Sequence, residues 1–285
     1  MTLLYYWRQD NYRRDLDMGA GFHLNQGNPL LHEIPLGDCL WAFTRRDNGT
    51  YALAAELVIR AKTINPPSFR YGRYRVWGDL TMSRYFRIAG QPNVEDIIRS
   101  LSCKTDARLL AHAFQGYAAV RPLTAEDHAI LSAAAAGLPL EARARLAAED
   151  KLEAEILPGD PERIEKLIRE EDAGMARERI EYLYRTAPAR NRRNVEALQD
   201  MYKGHCQLCG WEPVKLYEQP LCRGHHLHWI SRGGEDGIEN MVLLCPSHHV
   251  AVHRCNAPFD YGELAFVFPN HRESLQYNTH LQMSA

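Results

Sequence analysis

Five of the seven cysteines and seven of the thirteen histidines lie between His205 and Cys255. In a chain without a secretory signal, such clustering points to metal before disulfides. Two pairs share one spacing. Cys206-Gln207-Leu208-Cys209 is followed by Gly210, as a tight turn often needs, and Cys245-Pro246-Ser247-His248 repeats the pattern with an imidazole in the last place. Cys206, Cys209, Cys245 and His248 make a set of three thiols and one imidazole, a standard composition for a closed tetrahedral Zn2+ site. One such pair is weak evidence. Two pairs with 35 residues between them are strong evidence for structural zinc.

Structural zinc leaves other histidines unexplained. Between the pairs runs Gly224-His225-His226-Leu227-His228-Trp229-Ile230-Ser231-Arg232-Gly233-Gly234, and Asn240, His249 and His253 follow. Metal-assisted hydrolysis needs an activated water and a charge to stabilise the leaving oxygen. A neutral imidazole, with a reference pKa of about 6.5, suits the first task near neutral pH. A divalent ion suits the second. Neighbouring histidines on a strand point to opposite faces, so one can meet a metal and the other the attacking water.

This segment resembles the HNH nuclease family, whose ββα-metal motif reads as acid or His, His, a turn ending in Gly-Gly, Asn, and a last His on a helix. The resemblance covers some fifty residues, with fourteen residues from His226 to Asn240 and nine from Asn240 to His249. It implies a catalytic divalent metal, Mg2+ or another ion, with His225 and His249 as ligands. It makes His226 the general base and Asn240 the central residue that holds the loop and the base. The orienting partner of the base is expected to be the Asn240 side chain or a backbone carbonyl. Two departures stand out. Trp229 occupies the family's Pro position, and His248 replaces a common Cys, so His248 and His249 would exchange roles under a one-residue shift. His228 and His253 are spare. The bland reading makes them packing or surface residues, while His253, four residues beyond His249, shares its helical face. Cys222 and Cys255 read as small core residues.

Other elements must position this set. Residues 1–90 read as mostly β, with runs at Leu3–Trp7, Cys39–Phe43, Tyr51–Ile59 and Tyr74–Trp77. Turn material separates them at residues 25–29, 46–49 and 65–67, and Asn48-Gly49 suits a hairpin. Residues 93–186 turn helical in pattern, with Thr124 and Asp127 as a capping signal and a further start at Asp160-Pro161. The basic stretch 187–194 is a boundary candidate. The expected class is α+β: a small N-terminal β-barrel over 1–120, a helical connector over 121–195, and a zinc-stabilised HNH domain over 196–285.

The N-terminal part resembles PUA-like barrels of the EVE kind, through Leu36-Gly37-Asp38-Cys39-Leu40-Trp41-Ala42-Phe43 followed by Tyr51–Ile59. That resemblance implies a reader that flips a modified base into an aromatic pocket, and a modification-dependent restriction enzyme as the whole. Trp41, Tyr74 and Trp77 are the candidate rings and Asp79 the candidate polar group. Arg73 and Arg75 are candidate phosphate contacts in a stretch, Arg60–Arg87, with seven Lys/Arg and one acid. The plain alternative assigns the aromatics to core and rim.

The net charge is −2, and no apolar run is long enough to span a membrane. The start of the chain lacks the marks of a signal peptide, so a cytoplasmic location is expected. DNA is the expected partner, and cutting both strands would call for a homodimer. Two other functions compete: a non-catalytic zinc-stabilised nucleic-acid-binding protein and a toxin or effector nuclease. The intact His225, His226, Asn240 and His249 weigh against the first; no delivery segment supports the second.

Overall fold

A computed structural model of the chain describes residues 1–17, 23–67, 69–79, 81–103, 105–141, 192–229, 235 and 237–284. It divides into two compact units, Met1–Arg145 and Leu146–Ala285. The helix expected after Asp160, most of the expected connector, the basic stretch up to residue 191 and Gly233-Gly234 lie outside the described residues. Among the described residues no helix is long and apolar enough to cross a membrane.

The first unit is a curled sheet. Its strands are β1 (Thr2–Tyr6), β2 (His23–Gln26), β3 (Cys39–Arg45), β4 (Tyr51–Ile64), β5 (Tyr74–Gly78), β6 (Arg84–Tyr85) and β7 (Val120–Leu123). They follow the order β2-β5-β4-β3-β1-β7, with β6 also on β4. β1 runs parallel to β3; the other pairings are antiparallel. The β3–β4 hairpin closes at Asn48-Gly49. Gly49 has φ +85°, where a side chain is strained, and the Arg46 amide donates to the Thr50 carbonyl at 2.7 Å. The register shifts at Ala42/Phe43 and again at Ile59/Ala61, and such bulges bend a strand. β4 can therefore pair with β3 and β6 along its first part and with β5 along its last, which curls the sheet into a half-barrel.

Alternation gives the sheet two cores. Leu3, Tyr5, Leu40, Ala42, Leu57, Leu24 and Val76 pack on one face. Leu4, Tyr6, Trp41, Phe43, Leu53 and Phe86 pack on the other. Helices α1 (Gln9–Asp17) and α2 (Leu30–Glu33) come early in the chain, and α3 (Glu95–Ser100), α4 (Leu110–Ala113) and α5 (Ala125–Ala134) follow β6. Ile98, Leu110 and Leu131 of the last three join the second core and cover its face of the sheet. α5 begins at a capping box in which the Asp127 amide donates to Thr124 Oγ1 (3.1 Å) and the Thr124 amide to Asp127 Oδ2 (2.8 Å). Such a cap contributes about 1 kcal/mol.

Two elements differ from the sequence reading. Asn25 and Gln26, expected as turn material, end β2, because their pairing with β5 supplies the bonds a turn would lack. Val120–Leu123 falls in the expected helical stretch but is a strand that pairs with β1, so the N-terminal unit continues past residue 120.

The second unit holds α6 (Arg192–Tyr202), α7 (Pro213–Tyr217), β8 (Arg223–His226), β9 (Met241–Leu244) and α8 (Pro246–Arg254). A small sheet of β10 (Phe259–Asp260), β11 (Ala265–Val267) and β12 (Arg272–Ser274) follows. β8 and β9 form an antiparallel ribbon with His225 opposite Val242 and His226 opposite Met241. Leu198 of α6, Val242–Leu244, Val252 of α8 and Phe266 of β11 share one core. The α+β class holds for the chain.

Candidate metal centres of the C-terminal unit

The Cys206–Cys209 turn is held by backbone. The Gly210 amide donates to the Cys206 carbonyl (2.8 Å), and Gly210 takes φ +70°, with the Tyr277 ring 2.9 Å from where a Cβ would stand. Gln207, fully buried, ties the turn to β9. Its amide donates to the Leu243 carbonyl and its side-chain oxygen accepts from the Leu243 amide, both at 2.8 Å. Cys245 caps α8, its sulfur accepting the His248 amide at 3.4 Å.

These elements bring Cys206, Cys209, Cys245 and His248 together, with ligand atoms all within 4.8 Å of one another. His248 Nδ1 stands 3.2 Å from Cys245 Sγ and 3.6 Å from Cys206 Sγ. Zinc–ligand bond lengths put a sulfur and a nitrogen on one tetrahedral ion about 3.5 Å apart. Burial pushes the Cys206 and Cys209 thiols up, so a bound cation is what would hold them as thiolates. The four residues thus fit a zinc ion by donor type and by spacing. Cys222 lies beside them, and burial, with the neighbouring cysteines, pushes its thiol up to about 12. None of the seven cysteines forms a disulfide.

The second cluster is His225, His249 and His253, again within 4.8 Å of one another. His225 Nδ1 and His253 Nε2 are 3.2 Å apart, near the ~3.3 Å that two nitrogens take on one tetrahedral ion. His253 thus joins the pair named from sequence, and its i+4 spacing from His249 was the signal for it. Trp229, 5% exposed, lies against His253 (5.4 Å between ring centroids) and near His225 (6.4 Å). The indole in the family's Pro position is a wall of this cluster. His248 and His249 fall in different clusters, which separates the two roles that a one-residue shift would exchange.

His226, next to His225 at the end of β8, is 3% exposed. Asn240 does not hydrogen-bond its ring. Its Oδ1 accepts the His228 amide (2.8 Å), and its Nδ2 donates to the carbonyls of His228 (2.8 Å) and Glu235 (2.7 Å). These bonds tie the backbone of His228 and of Glu235 to Asn240, directly after His226-Leu227. The Asn240 carbonyl also accepts the Leu227 amide at 2.8 Å.

In the N-terminal unit the expected reader residues separate. Trp41 is fully buried, stacked on Phe86, with its indole N–H donated to His128 Nδ1 at 3.0 Å. Alternation along β3 turns it into the helix-covered core, so it offers no platform for a base. Asp79 belongs to a turn. Its Oδ1 accepts from the Thr81 hydroxyl and from the Thr81 and Met82 amides. Burial opposes its ionisation, but those hydrogen bonds outweigh burial and hold the carboxyl below its usual range. Tyr74 lies beside His32, and Arg73 is exposed over the Tyr74 ring. Trp77 and Arg75 do come together. Arg75 is 7% exposed between the Phe69 and Trp77 rings, and its Nε donates to Asn25 Oδ1 at 2.6 Å. Trp77 Nε1 donates to Thr63 Oγ1 (2.8 Å), and His23 packs on its ring. A pattern of alternating polar residues on β2 and β5 was the available signal for this buried polar face. Cys39, Glu56 and His128 also converge, but Arg84 pairs with Glu56 at 2.6 Å and Trp41 occupies His128 Nδ1, so their donors are already engaged.

Residues 206–255 match the HNH endonuclease family. Anaredoxin of Nostoc sp. is 32% identical over 73 residues, which are 26% of this chain and 88% of that protein. Among solved structures, a modification-dependent TagI restriction endonuclease aligns at 12% identity and a TM-score of 0.27, over 91% of this chain and 65% of its own. The phosphorothioation-dependent restriction endonuclease ScoMcrA aligns at 15% identity and a TM-score of 0.20, over 80% of this chain and 43% of its own. The chain spans less than two thirds of either structure. Residues 206–255, with the ribbon, helix and histidines that they carry, are an HNH endonuclease segment by that family match.

Proposed function

We propose that this chain is a metal-dependent endonuclease that hydrolyses phosphodiester bonds in DNA, in restriction or defence. The observation that carries the proposal is the pair of donor sets in the C-terminal unit, one of three cysteines and a histidine and one of three histidines, with a further histidine next to the second in sequence. The cysteine-rich set would hold zinc and brace the fold. Mg2+ or a similar divalent ion, held by His225, His249 and His253, would bind the scissile phosphate and offset charge on the leaving oxygen. His226 takes the proton of the attacking water on an imidazole nitrogen. Strand alternation turns it away from its ligand neighbour His225. Asn240 holds the backbone that fixes where His226 sits, and Trp229 excludes water from one side of the histidines. Incubating purified protein with modified and unmodified plasmid, with and without Mg2+ or Mn2+, tests the whole. No metal-stimulated cleavage of any substrate would leave a zinc-stabilised binding protein as the better reading. Cleavage of both strands would need two such sites, hence a homodimer.

The ligand and base roles separate kinetically. His253→Ala should raise the metal concentration needed for half-maximal cleavage by more than the roughly 10- to 100-fold that loss of an outer-shell partner costs, while excess metal restores much of the rate. An unchanged metal requirement would remove His253 from the ligand set.

Target choice is assigned to the N-terminal unit, as a reader of modified bases. Arg73, exposed over the Tyr74 ring, supports this as a phosphate contact, while Trp77, 7% exposed under His23 and Arg75, would take a base only once that cluster opens. Trp77→Ala in the full chain should weaken binding to the preferred modified duplex by roughly 10-fold or more, in line with ~1–3 kcal/mol per stacked base. Weak non-specific cleavage should remain. Equal loss on two duplexes that differ only in cytosine modification would remove the reader role of this cluster.

A further inference from the structure

We propose that Glu273 is a positioning residue for the site of Cys206, Cys209, Cys245 and His248, holding His248 in the tautomer that presents Nδ1 to the ion. The proposal rests on the zinc reading above. The two ring nitrogens of His248 face opposite chemistries. Nδ1 faces sulfur, 3.2 Å from Cys245 and 3.6 Å from Cys206. Nε2 faces a carboxylate, 3.0 Å from Glu273 Oε1. A neutral imidazole carries one N–H, and an ionised carboxylate only accepts. In the proposed tautomer Nε2 carries the proton and donates it to Glu273, which leaves the lone pair of Nδ1 facing the thiols. That is the arrangement in which a histidine ligates a metal, with a carboxylate behind it fixing ring orientation and raising basicity.

The placement explains a part of the fold that the zinc pairs do not need. Glu273 lies 25 residues beyond His248 and outside the matched segment 206–255, on β12. β12 is anchored by pairing with β11, whose Phe266 is fully buried in the core shared with β9 and α8. Next to Glu273, Arg272 pairs with Asp260 and Glu263, both at 2.8 Å. The small C-terminal sheet thus fixes where the carboxylate stands. His248 and Glu273 side chains are 21% and 30% exposed, so solvent screens the interaction in part. Its effect should be that of an outer-shell partner and not of a ligand.

The test uses the full-length zinc-loaded protein, with zinc affinity read by competition against a chromogenic chelator. Glu273→Ala should weaken zinc binding about 10- to 100-fold, the usual cost of losing such a partner. Glu273→Gln keeps a carbonyl oxygen that can accept from Nε2, so it should stay within about threefold of wild type. Histidine-15N NMR of the wild-type protein should show His248 bound through Nδ1 with the proton on Nε2. Zinc binding by Glu273→Ala as tight as wild type would overturn the proposal. So would a Gln variant as weak as the Ala variant, or a His248 ring bound through Nε2. A wild-type protein that carries no zinc would instead sink the zinc reading itself, which elemental analysis reads separately.

Discussion

His226→Ala is expected to cut DNA roughly 100- to 10,000-fold more slowly than the parent protein while keeping its zinc and its affinity for DNA. The size follows from losing a general base, about 3–5 kcal/mol of transition-state stabilisation. Three features favour the proposed base role for this position over that of a further ligand. The cluster of His225, His249 and His253 already has three donors without it. It follows His225 directly on β8, where alternation turns it to the other face. Asn240, shortly after it in the fold, spends both ends of its amide on the backbone of His228 and Glu235, which fixes the chain that follows His226-Leu227. His226 is buried, so the Ala variant leaves a cavity, and its fold must be checked by circular dichroism and zinc content beside the rate. Added metal separates the roles once more. It should not rescue His226→Ala, whereas it should rescue His253→Ala. Cleavage by a folded His226→Ala at the parent rate would transfer the base role to another histidine, with His228 the next to test.

The Cys and His spacing was legible in sequence because ligands on a tight turn or on one helical face are local. Cys206 and Cys209 need only a turn, and His249 and His253 only a helix. The β3–β4 hairpin was legible for the same reason, through Asn48-Gly49. What was not legible depends on distant pairing. β2 forms from turn-like residues because β5 supplies its hydrogen bonds, and β7 forms inside a helical pattern because β1 lies open beside it. Trp41 looked like an exposed ring from its strand, yet which face of a strand is buried depends on the helices that cover it, and α5 covers this one. Asp79 looked like a base-edge contact, but a carboxylate followed by Thr81 and Met82 amides satisfies itself locally. Glu273 carried no signal, since its partner is 25 residues away.

Cys206→Ser is expected to give a chain that holds no zinc and whose C-terminal unit is unfolded, while the N-terminal sheet keeps its structure. Magnitudes decide this outcome. Structural zinc in small domains contributes roughly 10–16 kcal/mol in apparent binding free energy, whereas a whole domain is stable by about 5–15 kcal/mol. Cys206 is fully buried in the core with Leu243, Leu244 and Val252, and Ser in its place would bury a hydroxyl without a thiolate's affinity for the ion. Loss of the ion would also release β9 and the start of α8, since Cys245 caps that helix and Gln207, within the first turn, is bonded to Leu243. The histidines proposed for catalysis sit on β8 and α8, so cleavage should disappear even though Cys206 is in the other cluster. The same logic sets the pH response. Burial raises the Cys206 and Cys209 thiols, so zinc binding must expel protons from them, and lowering the pH should weaken zinc retention as protons compete for sulfur. Parallel measurements of zinc content, helical signal and protease resistance on the parent protein, Cys206→Ser and chelator-treated parent would check all of this. A Cys206→Ser protein that remained folded and cut DNA would show that the cluster does not hold the unit together.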